Sequence, residues 1–218
     1  MRLQSAIFDM DGTLLDSMPT WRELGPTFLK EAGITATPEQ DRMLHILADC
    51  DVIPYLREVC GLPWSQQEII DQIIQRMETF YSSQVRPKPG LEKFLSILKM
   101  EGVWMYVATA THRRLTEKAL KTAGIDHYFR GIVTSADAGN HKSESADIYE
   151  MAMRRLQSNK RDTVVFEDAL YAIRTAKAAG FRVAGVYEAT AEQDQPEIQR
   201  LCDYYIRSYE ELVQSETF

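Results

Sequence analysis

The fold is decided by the stretch Ser5-Ala6-Ile7-Phe8-Asp9-Met10-Asp11-Gly12-Thr13. Its apolar run shows no polar alternation, which is typical of a parallel strand buried on both faces. In an extended segment, residues i and i+2 point the same way, so Asp9 and Asp11 would bring two carboxylates into one small volume. Such a pair is costly unless a cation neutralises it, and a hard ion such as Mg²⁺ is the natural partner.

A capped, solvated turn is the alternative explanation of this motif, because D-x-D-G occurs in many loops. Gly12 would let the chain turn sharply and bring the backbone close to a ligand. Ligands of open parallel sheets bind just beyond the carboxyl ends of the strands, which is where both acids would lie. The motif therefore needs support from the rest of the chain.

Further β-rich runs alternate with helical patterns along most of the sequence. The other predicted strands are Val103–Thr109, Gly131–Ser135, Thr163–Asp168 and Arg182–Val186, and the predicted helices between them are Gly90–Glu101, Thr111–Ala123, Ala146–Leu156 and Ala169–Ala179. Strands that alternate with helices of this length indicate βαβ units. The expected fold class is α/β, a Rossmann-like doubly wound parallel sheet.

The alternation is interrupted between about Ser17 and Pro87. This part contains helical segments and no convincing strand; the segments are Thr20–Ala32, Glu39–Ala48, Val52–Cys60 and Ser65–Ser82. The run Pro87-Lys88-Pro89-Gly90 discourages further helix and reads as a return linker. We therefore predict a core formed by residues 1–16 and 88–218, with an inserted helical cap at 17–87.

Charge and composition exclude several classes of protein. The formal net charge is -7 and hydrophobic residues make up 44%, which suits a globular core and argues against nucleic acid as a main partner. No apolar run is long enough to span a bilayer. Cys50, Cys60 and Cys202 are scattered and odd in number, so a disulfide framework or cysteine metal site is not expected. Met1-Arg2 leads almost directly into the first strand, so we expect a cytoplasmic protein without a cleaved leader.

Polar side chains also follow three of the other predicted strands. Thr109 ends one strand, where a hydroxyl and free amides can bind phosphate, although a threonine there is more often a helix N-cap. Lys142 is the only lysine between Lys121 and Lys160, and alone it would read as an exposed lysine. Glu167-Asp168 closes a buried strand, where adjacent acids favour a metal site over an N-cap. A doubly wound sheet would bring all of these to one edge.

With these features in place, the sequence resembles the haloacid dehalogenase superfamily. It is similar to the phosphatase branch that carries a helical cap after the first motif, near the β-phosphoglucomutase-like group. The first motif matches Asp9-Met10-Asp11-Gly12-Thr13-Leu14, and the fourth matches Val164-Val165-Phe166-Glu167-Asp168. Thr109 and Lys142 take the second-motif and third-motif positions. The third motif differs from the family's pattern, since Lys142-Ser-Glu-Ser-Ala-Asp147-Ile148-Tyr149 lacks proline and has one extra residue.

The resemblance implies a mechanism and a set of site residues. Asp9 would attack phosphorus and form an aspartyl phosphate, and Asp11 would act as acid and then as base. Mg²⁺ would be held by the Asp9 carboxylate, the Asp11 backbone carbonyl and Asp168, with Glu167 assisting. The transferred phosphoryl group would be held by Thr109, Ala110 and Lys142. The expected partner is a small phosphorylated metabolite such as a sugar phosphate, and the expected assembly is a monomer or weak homodimer.

Several other activities compete with this expectation. A phosphosugar mutase of the β-phosphoglucomutase type would use the same scaffold. However, Trp21 stands where such mutases have a histidine that transfers protons, and His45–Asp51 contains no arginine to grip a second phosphate. A receiver domain would be shorter and lack the helical insertion, and a dehalogenase needs neither Asp11 nor a magnesium site. A binding protein that kept the fold is disfavoured by the intact pair of acids.

The sequence does not name the substrate. Residues that could face it are Trp21, Arg22, Arg42, His45 and Arg57 in the cap, and His112 and Arg113 after the second motif.

Overall fold

A computed structural model describes residues 3–47 and 49–214, with the side chains of residues 45, 46, 49 and 50 excepted. Its centre is a six-stranded sheet in the order β3-β2-β1-β4-β5-β6, and every pair of neighbouring strands is parallel. The strands are β1 (Ser5–Phe8), β2 (Trp104–Thr109), β3 (Ile132–Thr134), β4 (Thr163–Glu167), β5 (Arg182–Val186) and β6 (Tyr204–Ile206). The predicted doubly wound parallel sheet is confirmed.

The helices follow the strands as the sequence pattern predicted, with several additions. They are α1 (Met18–Glu31), α2 (Pro38–Ile46), α3 (Asp49–Glu58), α4 (Gln66–Ser83), α5 (Leu91–Met100), α6 (Arg113–Thr122), α7 (Ser135–Ala138), α8 (Asp147–Arg155), α9 (Leu170–Ala178), α10 (Gln195–Leu201) and α11 (Tyr209–Gln214). The second predicted cap helix, Glu39–Ala48, ends at a residue outside those described. Among the described residues, no helix combines the length and apolar character needed to cross a bilayer.

The register of β1 against its two neighbours places three strand ends at one level. Phe8 lies opposite Val107 of β2 and Phe166 of β4, and the rings of Phe8 and Phe166 stack with centroids 4.2 Å apart. Alternate residues of β1 contribute to different apolar clusters, since Ala6 and Phe8 pack in one and Ile7 in the other. Burial on both faces explains the unbroken apolar run and fixes where the following acids lie.

Helices α1 to α4 lie between β1 and α5, in the region predicted as the helical cap. Two of them begin with reciprocal capping boxes, Thr37 with Gln40 and Ser65 with Glu68, which satisfy free amide groups at the first turn. The exact boundaries between core and cap, after residue 16 and before residue 88, remain a prediction.

The two chain crossings between the core and these helices run side by side. Leu15 forms a bridge with Pro87, the amide of Asp16 donates to the Arg86 carbonyl at 3.0 Å, and the amide of Lys88 donates to the Leu14 carbonyl at 2.9 Å. The helical segment therefore leaves and re-enters the core at one place, next to Asp9 and Asp11.

Candidate active site

Three buried acids meet at the carboxyl ends of β1 and β4. Asp9 directly follows β1, and its amide continues the sheet pairing by donating to the Phe166 carbonyl at 2.9 Å. Glu167 is the last residue of β4 and Asp168 follows it. One carboxylate oxygen of each acid lies within 4.8 Å of the others, so the three form a cluster that could hold a divalent cation.

Lys142 lies inside this acidic cluster. Its Nζ donates to Asp9 Oδ1 and, at 2.6 Å, to Glu167 Oε1, and the residue is only 2% exposed. The Tyr149 hydroxyl donates to the same Glu167 oxygen at 2.7 Å. The loop after α7 thus delivers the lysine that the sequence singled out, even though its motif differs from the family's pattern.

The electrostatics of the cluster suit a site for an added cation. Burial, followed by the charges of neighbouring acids, raises the pKa of Asp168 to about 8. Burial also raises the pKa of Asp9 well above its usual range, against the opposing effect of Lys142. Burial disfavours the Lys142 ammonium, but the carboxylates of Asp9 and Glu167 outweigh it and raise the pKa of that lysine. A divalent cation bound by the three acids would favour their ionised forms and so offset the effect of burial.

Gly12 and Thr13 shape the floor next to the cluster. The Thr13 hydroxyl donates to Asp168 Oδ1 at 2.8 Å. Gly12 has φ +82°, and a Cβ there would lie 2.7 Å from Asp168 Cγ and 2.8 Å from Met18 Cγ. Only glycine combines this left-handed backbone with so close an approach, which explains the residue after Asp11.

The carboxylate of Asp11 points to a different set of partners. Its Oδ1 accepts hydrogen bonds from the hydroxyls of Ser17, at 2.6 Å, and Tyr81, at 2.5 Å. Its Oδ2 accepts one from the Thr111 hydroxyl at 2.7 Å. Burial, and then the Asp11 carboxylate, hold the pKa of Tyr81 well above its usual range, so this phenol keeps the proton that it donates.

Thr109 and Ala110 occupy the turn between β2 and α6. Thr109 is buried, and its Oγ1 accepts the amide of Thr111 at 3.1 Å. The hydroxyl proton of Thr109 is not used in that bond, so it can donate toward a ligand. The turn therefore offers both a hydroxyl and the backbone that leads into a helix, the chemistry expected for phosphate.

All seven predicted site residues line one cavity of about 280 Å³. Its walls also include Trp21, Arg22 and Leu47 from the helical segment between β1 and α5, and residues that follow β4, namely Tyr171, Arg174, Glu188 and Asp194. Arg22 donates to the Leu47 carbonyl at 3.3 Å, while its buried Nε has no hydrogen-bond partner among the described residues. Arg174 pairs with Glu197 at 2.7 Å.

Four of the other residues proposed to contact the substrate, Arg42, Arg57, His112 and Arg113, do not line this cavity. Arg42 forms an exposed ion pair with Glu39, and Arg57 is exposed. His112 accepts the amide of Arg114 at the start of α6, and Arg113 pairs with Asp137 at 2.7 Å. The side chain of His45 lies outside the described part of the chain.

Several polar neighbours of the site were not identified from the sequence. They are Thr13, Ser17, Tyr81, Thr111, Tyr149 and the buried pair of Lys88 with Glu188, whose atoms lie 2.8 Å apart. Thr13 belongs to the first motif and Tyr149 to the third, so the sequence carried a signal for both positions. Tyr81 belongs to an amphipathic helix, where a buried tyrosine looks like any core residue.

Fold and site together define an α/β protein built on a parallel sheet, in which three acids and a lysine meet beyond the carboxyl ends of the strands. The family model for haloacid dehalogenase-like hydrolases matches residues 6–186, and the chain belongs to this family.

Similar proteins of known name include several phosphatases. A phosphorylated carbohydrates phosphatase of Thermotoga maritima is 26% identical over 185 residues, which cover 84% of this chain and 85% of the relative. The fructose-1-phosphate phosphatase of Escherichia coli K12 is 26% identical over 190 residues, or 85% of this chain and 97% of the relative. Hexitol phosphatase B of the same strain is 24% identical over 217 residues, or 97% and 95% of the two chains.

Solved structures share the fold at lower identity. The CbbY protein of Rhodobacter sphaeroides, in complex with xylulose-1,5-bisphosphate, has a TM-score of 0.79 and 22% identity, with 96% of each chain covered. The β-phosphoglucomutase of Clostridium difficile has a TM-score of 0.74 and 18% identity, with 99% of this chain and 97% of the other covered.

Proposed function

We propose that this protein is a Mg²⁺-dependent phosphatase that hydrolyses the phosphate monoester of a small phosphorylated carbohydrate through a phosphoryl group on Asp9. The observation that carries the proposal is the position of Asp9. It lies at the end of β1, bound by Lys142 and within reach of Glu167 and Asp168, on the wall of a cavity. The names of the three phosphatase relatives favour a phosphorylated carbohydrate as the class of substrate.

The proposed reaction has two displacements at phosphorus. First, an Asp9 oxygen bonds to phosphorus, the ester P–O bond breaks, and Asp11 gives its proton to the leaving oxygen. Then water bonds to phosphorus as Asp11 takes its proton, and the bond to Asp9 breaks. The products are the free alcohol and inorganic phosphate.

The remaining site residues hold charge and position. Lys142, Thr109 and the amide of Ala110 hold the phosphoryl oxygens as charge develops on them. Asp9, Glu167, Asp168 and the backbone carbonyl of Asp11 would hold Mg²⁺. When bound, the ion would neutralise the carboxylate and phosphoryl charges that otherwise repel each other.

The part of the cavity wall formed by Arg22, Arg174 and Asp194 fits the alcohol part of the substrate. Arg22 and Arg174 supply donors, and Asp194, whose pKa is raised by burial against the effect of both arginines, supplies an acceptor. A guanidinium and a carboxylate together suit the hydroxyl groups of a sugar or polyol, which both donate and accept. Helices α1 to α4 would close over this wall as the cap and exclude bulk water.

A phosphosugar mutase is not favoured. A mutase must suppress attack by water until a sugar hydroxyl is in place, and its relatives use a proton-transferring histidine for this. Here Trp21 takes that place and lines the cavity, and its Nε1 donates to the Tyr81 hydroxyl at 3.0 Å. The indole N–H has no second proton site, so it cannot serve as an acid–base group.

The test is to supply a panel of sugar and polyol phosphates with Mg²⁺, and hexose 1-phosphates with a bisphosphate activator. Both free phosphate and isomerised sugar are followed. Phosphate should be released, and Asp9→Asn should abolish both turnover and acid-stable labelling of the protein. Rapid isomerisation with negligible phosphate release would assign the mutase reaction, and a fully active Asp9→Asn would exclude the mechanism.

The cellular setting proposed for this reaction is the cytoplasm, where phosphorylated metabolites are kept. We propose that the chain acts as a monomer or weak homodimer, because the whole predicted site comes from one chain. Light scattering over a range of protein concentrations would test the assembly; a tight oligomer at the lowest concentration would contradict it.

A further inference from the structure

We infer that Tyr81, supported by Trp21, is a positioning residue for the acid–base carboxylate of Asp11. The inference rests on the proposed function, because it assigns the means by which that carboxylate is oriented. It links a residue of the helical insertion to the reacting group of the core across 70 positions in sequence.

The geometry of the contact is specific. Tyr81 is fully buried near the end of α4, and its hydroxyl donates to Asp11 Oδ1 at 2.5 Å. Tyr81 binds Oδ1 and leaves Oδ2 to carry the proton that Asp11 gives to the leaving oxygen. Once that proton has left, the bond from Tyr81 becomes charge-assisted and therefore stronger than a bond between neutral groups. The Asp11 carboxylate is therefore held by a group with little freedom of its own.

Trp21 fixes the direction of the tyrosine hydroxyl. Its Nε1 donates to the Tyr81 oxygen at 3.0 Å, so that oxygen accepts from the indole and gives its own proton to Asp11. Trp21 belongs to α1 and Tyr81 to α4. The first and the last helix of the insertion therefore both help to position the Asp11 carboxylate. Both hydrogen bonds in the series Trp21, Tyr81 and Asp11 therefore donate in the same direction, from the indole toward the carboxylate.

Among the described residues, the two other side chains that donate to the Asp11 carboxylate lie closer to it in the sequence or in the core. Ser17 sits on the crossing that leads into α1, and Thr111 lies just before α6 of the core. Ser17 shares Oδ1 with Tyr81, Thr111 binds Oδ2, and Tyr81 is the contact that comes from α4. Displacement of α4 would release one of three donors, so the orientation of the general acid depends on the placement of that helix.

If Tyr81 has this role, the loss of activity on its replacement should depend on the leaving group of the substrate. An alkyl phosphate needs a proton on its leaving oxygen, whereas p-nitrophenolate departs without one. Tyr81→Phe removes only the hydroxyl and keeps the ring. It should lower kcat/KM for an alkyl phosphate roughly 10- to 100-fold, the range for one hydrogen bond to a charged group, and leave KM unchanged. The loss on p-nitrophenyl phosphate should be much smaller.

The experiment compares Tyr81→Phe, Trp21→Phe and Asp11→Asn on p-nitrophenyl phosphate and on the sugar phosphate that the wild type hydrolyses fastest in the panel above. Tyr128→Phe is the matched control, since it removes a hydroxyl paired with Ser96 of α5, and neither of these residues lines the cavity. Trp21→Phe should also lower kcat/KM more for the sugar phosphate than for p-nitrophenyl phosphate, but by less than Tyr81→Phe does. In the Asp11→Asn background, Tyr81→Phe should cause little further loss, because the two act as one unit.

The outcomes separate the inference from the proposed function. A wild type that hydrolyses no ester of either kind refutes the phosphatase itself. A wild type that hydrolyses both kinds, with Tyr81→Phe losing equally on both or no more than Tyr128→Phe, overturns the positioning role and leaves the phosphatase intact. Additive losses in the double variant would also overturn it. Thermal unfolding followed by circular dichroism confirms that each variant is folded.

Discussion

Replacing Lys142 with methionine should destabilise the metal-free protein sharply. The lysine side chain is 3% exposed, and its two carboxylate partners, Asp9 and Glu167, are 9% and 1% exposed. Methionine has nearly the same length but no charge, so the substitution leaves the buried acids without a cation. Removing one partner of a buried ion pair destabilises by about 3–5 kcal/mol.

Magnesium should reduce this loss, because a bound cation supplies part of the missing charge. A ligand at 100 times its Kd stabilises the folded state by about 2.7 kcal/mol. Removal of the ammonium makes the cluster more negative, so Mg²⁺ should bind the variant more tightly than the wild type. The difference in unfolding free energy between the two proteins should therefore be largest with chelator present and smaller with excess Mg²⁺.

Urea unfolding with chelator, and again with Mg²⁺, measures both effects. Lys177→Met is the matched control, since Lys177 pairs with Asp203 at 2.7 Å but both side chains are about one-third exposed. A partly exposed pair of this kind contributes about 0–1 kcal/mol. If Lys142→Met unfolds within about 1 kcal/mol of the wild type in chelator, the account of a lysine that balances buried acids is wrong.

Three further substitutions test the acidic cluster at Asp168, the close approach of Gly12 to it, and the cavity wall at Arg22. Asp168→Asn should abolish the rise in Tm that Mg²⁺ gives the wild type in a fluorimetric titration, and an undiminished rise would remove this residue from the cation site. Gly12→Ala should destabilise by about 1–3 kcal/mol, because its Cβ would strain the left-handed backbone and press on Asp168, and equal urea midpoints would contradict this. Arg22→Met should raise KM for sugar phosphates while sparing p-nitrophenyl phosphate, and unchanged KM values would exclude Arg22 from substrate recognition.

The sequence predicted those parts of the molecule that depend on local pattern. Ala6–Phe8 is apolar throughout because β1 is covered on both faces, and the acids that follow must then lie at the sheet's ligand-binding edge. Lys142 could be assigned because the resemblance required a lysine in that loop and the chain has only one there.

Contacts between distant elements could not be predicted in the same way. The bond between Tyr81 and Asp11 depends on how α4 packs on the core, and nothing in the periodicity of a helix specifies which core group it will meet. Strand β6 was missed because Tyr204–Ile206 is only three residues long, which is too short for a periodic signal, and it is defined by its pairing with β5. The Asp11 carboxylate lies outside the cluster of Asp9, Glu167 and Asp168 because β1 ends at Phe8 and the backbone bends at Met10, so the extended geometry on which the argument for convergence relied does not reach Asp11.

The paired crossings next to the site have a consequence for how this protein could have arisen and could be rebuilt. Residues 16 and 86 are joined by a backbone hydrogen bond, so the helical segment between them begins and ends at nearly the same point in space. A segment with adjacent ends can be spliced into a loop of a host without stretching that host, which is the condition under which insertions are tolerated. Exchange of this segment between relatives would thus require only two short junctions, and a chimaera would inherit its nucleophile from one parent and its selectivity from the other.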